Sequence, residues 1–547
     1  MTTDVFAVPG PGAWELDRSH YPGGTTAISQ WLMDGCPRAM RRAFAELGVP
    51  AETLQVEFVH GFMYSRLRPL IRPDKPAAKL PPLVVLKVAA RLHPGMRKRA
   101  ATATAALASP PWRRVVDDWA RATRPGLEAR NTELQSVDAD ALDDSALADH
   151  LSKVLAWCRE TFELHFYLHA FDLGPIGLLL YDCDRWGIAA AEVVPALGGA
   201  SPSTAAPALA LAEVRAEITS GGARPTTLDE VRAVSPRARE LLDAYLARRG
   251  QMLITRYDLD GQTLAERPDT VLSSILDGKL DPVDHAPAHD TVAALRTLVP
   301  AAEQARFDER IREARGAMDL RDDNGPYTVE WPVGILRHAL LALGRRRHDR
   351  GGRVHAPEHV FELRPDEVAP FARTGTGPSA DELAARATER RRLAGLTPPA
   401  RLGPEEPAPP LRVLAPSLQI LVGATQLVLE HMGMTAQRPA GDPLSGIGIG
   451  TTPYRGRARV ALDPEAALDA MEPGDVLVTR FTTPAYNTVL SLAGAIVTAD
   501  GGALCHAAVM ARELGIPAVI GASGALVHIV DGTMVEVDPA TGRVLLL

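Results

Sequence analysis

One histidine near the C-terminal end, His506, stands where an imidazole could act as a nucleophile. The apolar run Ala495–Val497 predicts a buried strand, and Gly515-Ile-Pro-Ala-Val-Ile-Gly521 predicts another between turn residues. Between them lie the glycine pair Gly501-Gly502 and a helical pattern. At about 100° per residue, Ala507, Met510, Ala511 and Leu514 share one stripe suited to packing on a sheet. His506 falls at the edge of that stripe, in the first turn, where it can reach solvent. Gly515 fits a helix C-cap, and Pro517 cannot continue the helix.

That placement suggests phosphoryl chemistry. A helix start offers unpaired N–H groups and partial positive charge, and glycines let backbone approach an anion without a Cβ in the way. Gly501, Gly502 and Cys505 would line a phosphate pocket, and Arg512 would add a cation. The imidazole would then be the nucleophile and phosphohistidine the covalent form. A first-turn histidine serving only as a polar cap has the same local pattern, and a short motif does not choose between the two.

The elements that must position this histidine form the end of a long chain. Its 547 residues allow several domains. Net charge is −8, with no basic stripe, which argues against nucleic acid as the main partner. Cys36, Cys158, Cys183 and Cys505 are scattered, with no CxxC pair and no metal spacing, so reduced thiols in a cytoplasmic protein are expected. The start, Met1 to Phe6, has neither the basic nor the apolar region of a secretion signal, and no apolar run approaches bilayer length.

Upstream of residue 396 the patterns are mainly helical. Trp14 and Tyr21 are expected to anchor a turn-rich N-terminus, and Thr53 to Tyr64 reads as one strand or extended stretch. Pro82 to Arg130 reads as helix broken at Pro94 and Pro110-Pro111. A capped helix is expected from Asp143 to about Phe171, with a separate apolar helix from Pro175 to Trp186. His165 and His169, four apart, could bind a metal, but no third ligand is evident, and a packed interface is the plainer reading. Gly198-Gly199 reads as an interhelical turn, since no Walker-type GK[ST] follows. Leu228 to Arg249 reads as helical, and Val292 to Met318 as a helix divided at Pro300. The mixed charges from Glu303 to Arg315 suit a solvated face. Val333 to Arg350 is helical, and Thr397 to Pro416 is a proline-rich, semi-rigid linker leading to a helix from Ser417 to Met432.

The stretch Thr498-x-x-Gly-Gly-x-x-Cys-His-Ala-Ala-x-x-Ala-Arg-Glu-x-Gly-Ile-Pro-Ala-Val-x-Gly521 resembles the signature of the phosphohistidine swivelling domain of phosphoenolpyruvate-utilising enzymes. The resemblance extends upstream through Gly456-Arg-Ala-Arg-Val460, Pro473-Gly-Asp-Val-Leu-Val478 and Thr482-Thr-Pro484. Cys505 departs from the Ser or Thr that many members carry before the histidine; a thiol is a weaker hydrogen-bond donor than a hydroxyl. The segments Pro9–Pro22, His60–Arg66 and Pro357–Val368 resemble the substrate domain of rifampicin phosphotransferase-like proteins. The resemblance therefore implies a multidomain chain: a mainly α-helical substrate domain at 1–395, a linker and junction helix at 396–441, and a swivelling β/β/α phosphohistidine domain at 442–547.

It also implies a function. No glycine-rich loop, strand lysine or paired metal carboxylates of an ATP-grasp domain were found, so a split enzyme like phenylphosphate synthase is expected. A separate ATP-grasp subunit, holding ATP and Mg2+, would phosphorylate His506. The swivelling domain would carry the group to a hydroxyl of a small, aromatic or antibiotic-like, molecule in the helical domain. By the same resemblance the pair Arg312-Glu313 would face the transfer cavity and His169 could line the acceptor pocket; His60 could line it too or be a structural histidine. No cofactor or metal is assigned to this chain. The alternatives are a non-catalytic phosphohistidine carrier or regulatory module, and a degenerate relative that is never phosphorylated.

Overall fold

The computed structural model describes residues 4–17, 20–75, 79–278, 286–349, 352–434 and 442–547. Residues 1–3 and 18–19 of the N-terminal readings, Arg350, and 435–441 of the junction lie outside the described residues. Helix dominates up to residue 431, and a sheet domain follows. The described residues form eleven strands, and six of the helices matter to the site. The strands are β1 (Trp14–Leu16), β2 (Ala51–Val59), β3 (Phe62–Pro69), β4 (Arg401–Leu402), β5 (Ile447–Ile449), β6 (Tyr454–Val460), β7 (Val476–Thr479), β8 (Ala495–Thr498), β9 (Ala518–Ile520), β10 (Met534–Asp538) and β11 (Arg543–Leu546). The helices are α1 (Asp144–Arg185), α2 (Pro202–Ser220), α3 (Gln304–Gly325), α4 (Trp331–Asp349), α5 (Pro416–His431) and α6 (His506–Glu513).

The chain divides into two compact units. One comprises Met1–Asp172, Arg256–Gly261 and Asn324–Gly423; the other comprises Leu173–Thr255, Gln262–Asp323 and Ala424–Leu547.

The first unit is helical around an antiparallel sheet of order β2-β3-β1-β4. Thr53 to Tyr64 is not one strand: it folds back at His60-Gly61, where both residues have positive φ (53° and 77°) and Val59 pairs with Phe62. Two positive φ values are what a two-residue type I′ hairpin requires, and glycine meets that need without strain. Trp14 and Tyr21 are both buried, anchoring the N-terminal segment. The start of the proline-rich linker is stitched to this sheet. β4 pairs with β1, the Tyr64 hydroxyl donates to the Pro399 carbonyl at 2.8 Å, and the Ala13 N–H donates to Glu406 at 3.1 Å. An open strand edge offers unpaired backbone groups, and the linker supplies their partners.

The second unit is built on a seven-stranded sheet of order β11-β10-β6-β7-β8-β9-β5. The central strands β6, β7, β8 and β9 run parallel, and the outer pairings are antiparallel. Every residue of β7 and β8 is buried, because both faces of the sheet are covered. Successive side chains go to opposite faces. Leu477 and Ile496 join the core formed with Ala507, Met510 and Ala511 of α6, whereas Val476, Val478 and Val497 join the core on the other side. A further core gathers Ile176, Leu179 and Leu180 of α1, Phe307 and Ile311 of α3, Val428 of α5, and Ala503, Leu504 and Val509 around His506.

Two local expectations are corrected. α1 is one 42-residue helix that runs through Pro175 instead of stopping near Phe171. Its burial of Ile176, Leu179, Leu180 and Cys183 outweighs the roughly 3 kcal/mol an internal proline costs. Leu228 to Arg249 is helical, in two helices parted where Ser235 caps the second by accepting from the Ala238 N–H at 2.9 Å, with Pro236 in the first turn. The charged stretch of α3 is not wholly a solvated face. Arg306 and Arg310 turn inward to a fully buried Asp182, at 2.7 and 3.0 Å. Burying that carboxylate requires such partners.

Candidate functional site

His506 opens α6, directly after the loop that leaves the C-terminal end of β8. Thr482 and Asn487 lie in the segment that leaves the C-terminal end of β7. β7 and β8 are adjacent and parallel, with Thr479 opposite Thr498. The pairing continues as Ala499 N–H donates to the Thr479 carbonyl at 2.9 Å and Asp500 N–H to that of Arg480 at 2.7 Å. Neighbouring parallel strands therefore deliver both segments to the same edge, the usual ligand-binding edge of an open α/β sheet.

There the imidazole is held from both sides. Thr482 Oγ1 lies 2.8 Å from Nδ1, and Asn487 Oδ1 lies 2.8 Å from Nε2. The ring is half-buried, and its pKa is pushed down to about 3, chiefly by burial and then by the positive charge of Arg321. At neutral pH it is uncharged, so one nitrogen donates and the other offers a lone pair. With Asn487 Oδ1 accepting from Nε2–H, Nδ1 accepts from the Thr482 hydroxyl. Rotating the amide of Asn487 reverses both roles: its NH2 then donates to the Nε2 lone pair, and Nδ1–H donates to the Thr482 hydroxyl. In either arrangement both nitrogens have a partner, so an incoming phosphoryl group must displace one of them.

Two guanidiniums flank the loop. Arg512 Nη2 donates to the Ala503 carbonyl at 2.7 Å, and Arg321 Nη2, from α3, donates to the Leu504 carbonyl at 2.6 Å. Arg321 Nη1 is buried with no hydrogen-bond partner among the described residues. Burial pushes the Arg512 pKa down to about 10, which leaves it cationic at neutral pH. Two cations beside the N-terminus of α6 make this an anion-binding environment. Cys505, the N-cap residue, makes no side-chain cap bond, and burial raises its thiol pKa.

The glycine pair has a different immediate duty from leaving room for an anion. A Cβ on Gly502 would fall 2.2 Å from the His431 carbonyl oxygen, and one on Gly433 would fall 2.5 Å from the carbonyl carbon of Gly501. Leu504 N–H also donates to the His431 carbonyl, at 2.8 Å. The glycines thus permit the loop to lie directly against the end of α5.

The second unit brings together His506, Gly501, Gly502, Cys505 and Arg512, all from one sequence stretch. It adds Thr482, Asn487 and Arg321. Thr482 was legible as part of a longer motif, but neither Asn487 nor Arg321 has a spacing signal, because each meets His506 only through folding. Arg312 and Glu313 are in the same unit with other surroundings: Arg312 is exposed, and Glu313 accepts from Arg310 at 3.0 Å. Gly198-Gly199 is a turn, with Arg315 donating to the Gly198 carbonyl at 3.0 Å and Gly199 N–H donating to Glu513 at 2.9 Å. His60 and His169 belong to the first unit. His60 is the hairpin residue, its Nε2 3.0 Å from the Val5 carbonyl, and His169 Nδ1 lies 2.7 Å from Asp172 Oδ2.

Comparison with known proteins agrees with this geometry. Residues 471–542 match the mobile domain of PEP-utilising enzymes. Chondramide synthase of Chondromyces crocatus is 32% identical over 329 residues, 56% of this chain and 8% of that protein. A rifampicin phosphotransferase of Streptomyces sviceus is 30% identical over 344 residues, 58% of this chain and 36% of that protein. Phosphoenolpyruvate synthase of Aeropyrum pernix is 51% identical over 89 residues, 16% of this chain and 11% of that protein. The chain thus spans only a minor part of the length of each of these relatives. Residues 471–542 thus carry the mobile domain of PEP-utilising enzymes, and the chain is similar to these relatives over part of their length.

Proposed function

We propose that this chain is the phosphocarrier and acceptor component of an ATP-dependent phosphotransferase, with His506 as the residue that carries the phosphoryl group. The observation that carries the reading is the neutral imidazole of His506, clasped by Thr482 and Asn487 beside Arg321 and Arg512. A neutral ring has the lone pair needed to attack phosphorus, and the guanidiniums offset the charge that arrives with the phosphate.

In this reading a separate ATP-grasp subunit binds ATP and Mg2+ and transfers a phosphoryl group to the ring. Residues 442–547 then act as the swivelling domain, 396–441 as its tether, and 1–395 as the part that binds a small hydroxylic acceptor. The rifampicin phosphotransferase likeness supports an acceptor of that class. No helix among the described residues is long and apolar enough to cross a membrane, and the reading places the protein in the cytoplasm.

The test is to incubate the full chain with candidate ATP-grasp proteins and ATP labelled at the β-phosphate, then measure acid-labile label. Label on the wild type and none on His506→Ala is expected. Equal label on the variant would overturn the proposal. Label that is never discharged to any hydroxylic compound would favour a carrier or regulatory role.

A further inference from the structure

The first unit contains a second ordered histidine, on α1. His169 Nδ1 lies 2.7 Å from Oδ2 of Asp172, one turn further along the helix. The Asp172 side chain has no exposure, whereas a third of the His169 side chain remains accessible. The other carboxylate oxygen, Asp172 Oδ1, is buried with no hydrogen-bond partner among the described residues. A fully buried carboxylate with one unfilled oxygen is costly, so a role as a mere space-filler is a poor account of it. The ring of His165 stands perpendicular to that of His169, with centroids 4.4 Å apart, and its Nδ1 lies 3.0 Å from Thr328 Oγ1. Burial, followed by the neighbouring His169 and His20, pushes the His165 pKa well down. His165 is thus an uncharged wall beside His169. Among the described residues no three His, Cys, Asp or Glu side chains are grouped to hold a metal ion.

A buried carboxylate on Nδ1 fixes the tautomer of an imidazole. Nδ1 keeps the proton, and Nε2 carries the lone pair of a side chain that is one third accessible. We propose that His169, oriented by Asp172, is the general base of an acceptor site in the first unit, taking the proton from a small hydroxylic ligand. This rests on the phosphotransfer reading above and supplies the residue that reading lacks. In the step, Nε2 of His169 takes the O–H proton, the freed oxygen attacks phosphorus, and the P–N bond to His506 breaks with its electron pair returning to that ring. The imidazolium formed on His169 is stabilised by Asp172 until the proton passes to water. His169 is the catalytic residue, and Asp172 acts through it as a positioning residue.

Two measurements on the full chain test this. Carbethoxylation by diethylpyrocarbonate, followed at each histidine by mass spectrometry, reads the nucleophilicity of Nε2. Asp172→Asn keeps the side-chain volume but removes the charge that fixes the tautomer. Several-fold slower modification of His169, with His355 unchanged as internal standard, is expected, and an unchanged rate at His169 overturns the dyad. In the second measurement, protein labelled on His506 is offered phenol and rifampicin as probe acceptors. His169→Gln is expected to load His506 like the wild type but to transfer the group about 10²-fold more slowly. Transfer at the wild-type rate would overturn the base role. Failure of the wild type to load at all would count against the phosphotransfer reading, while the carbethoxylation result would still decide the dyad.

Discussion

Leu504 donates its N–H to the carbonyl of His431 at 2.8 Å, which ties the loop carrying His506 to the last turn of α5. The tie is tight because Gly502 has no side chain: a Cβ there would fall 2.2 Å from that same oxygen. The end of α5 and the loop before His506 therefore share one contact, and movement of either is felt by the other.

Gly502→Ala tests that contact. The methyl group has no room, and overpacking of this kind costs about 1–3 kcal/mol. A lower thermal midpoint is expected, together with faster proteolysis near residue 431 if the loop undocks. An unchanged midpoint and cleavage pattern would show that the α5 contact contributes nothing.

Asn487 decides which ring nitrogen is available. Asn487→Ala removes the partner of Nε2 while leaving Thr482 on Nδ1. Phosphorylation at Nε2 no longer has to displace an amide, but the ring loses orientation, and misplacement of a reacting group costs about 10²-fold in rate. Slower loading is expected, with the phosphoryl group on Nε2, assigned by 15N NMR. Loading on Nδ1 in both variant and wild type would contradict the assignment of Thr482 as the retained partner.

Stability should depend on pH through His506. Folding lowers the pKa of this ring from the usual 6.5 to about 3, so between those values the unfolded chain binds the extra proton. Stability therefore falls as pH drops through 6.5 towards 3, by up to about 1.4 kcal/mol per unit, and the slope from this group dies away about one unit above 6.5. Urea denaturation across pH 4 to 7.5 checks it, with His506→Gln expected to flatten that part of the profile. The same depressed pKa predicts that loading shows no loss near pH 6.5 from protonation of the nucleophile.

Arg321 acts on the site through charge and through the loop. Arg321→Met removes the donor to the Leu504 carbonyl and one of the two cations that flank the loop. The pKa of His506 should rise, since Arg321 is the second cause of its depression, and phosphate loading should weaken. NMR titration of the ring reads the former, and label incorporation the latter.

Asp182 anchors α3 to α1 by accepting from Arg306 and Arg310. Asp182→Ala leaves the buried Arg310 without its carboxylate there, and breaking a buried pair from one side costs about 3–5 kcal/mol. A large fall in the urea midpoint is expected, with Asp182→Asn intermediate.

The strand, glycine pair, helix and strand around His506 were legible in sequence because each is specified by neighbours in the chain: an apolar run, a turn residue, a 3.6-residue stripe, a cap. His506, Gly501, Gly502, Cys505 and Arg512 could be read together for the same reason. Helix continuity at Pro175 could not, because a proline's local cost is outweighed only by burial that distant residues provide. Nor could the inward turn of Arg306 and Arg310, which depends on Asp182 more than 120 positions away. Asn487 and Arg321 reach the histidine only after β7 has paired with β8 and α3 has packed beside the loop. The sequence by itself determined the candidate nucleophile and the local frame that holds it. Only the tertiary structure decided its tautomer partners, its depressed pKa and its second guanidinium, because hydrogen bonding, desolvation and Coulomb interaction depend on distance in space, not on position along the chain.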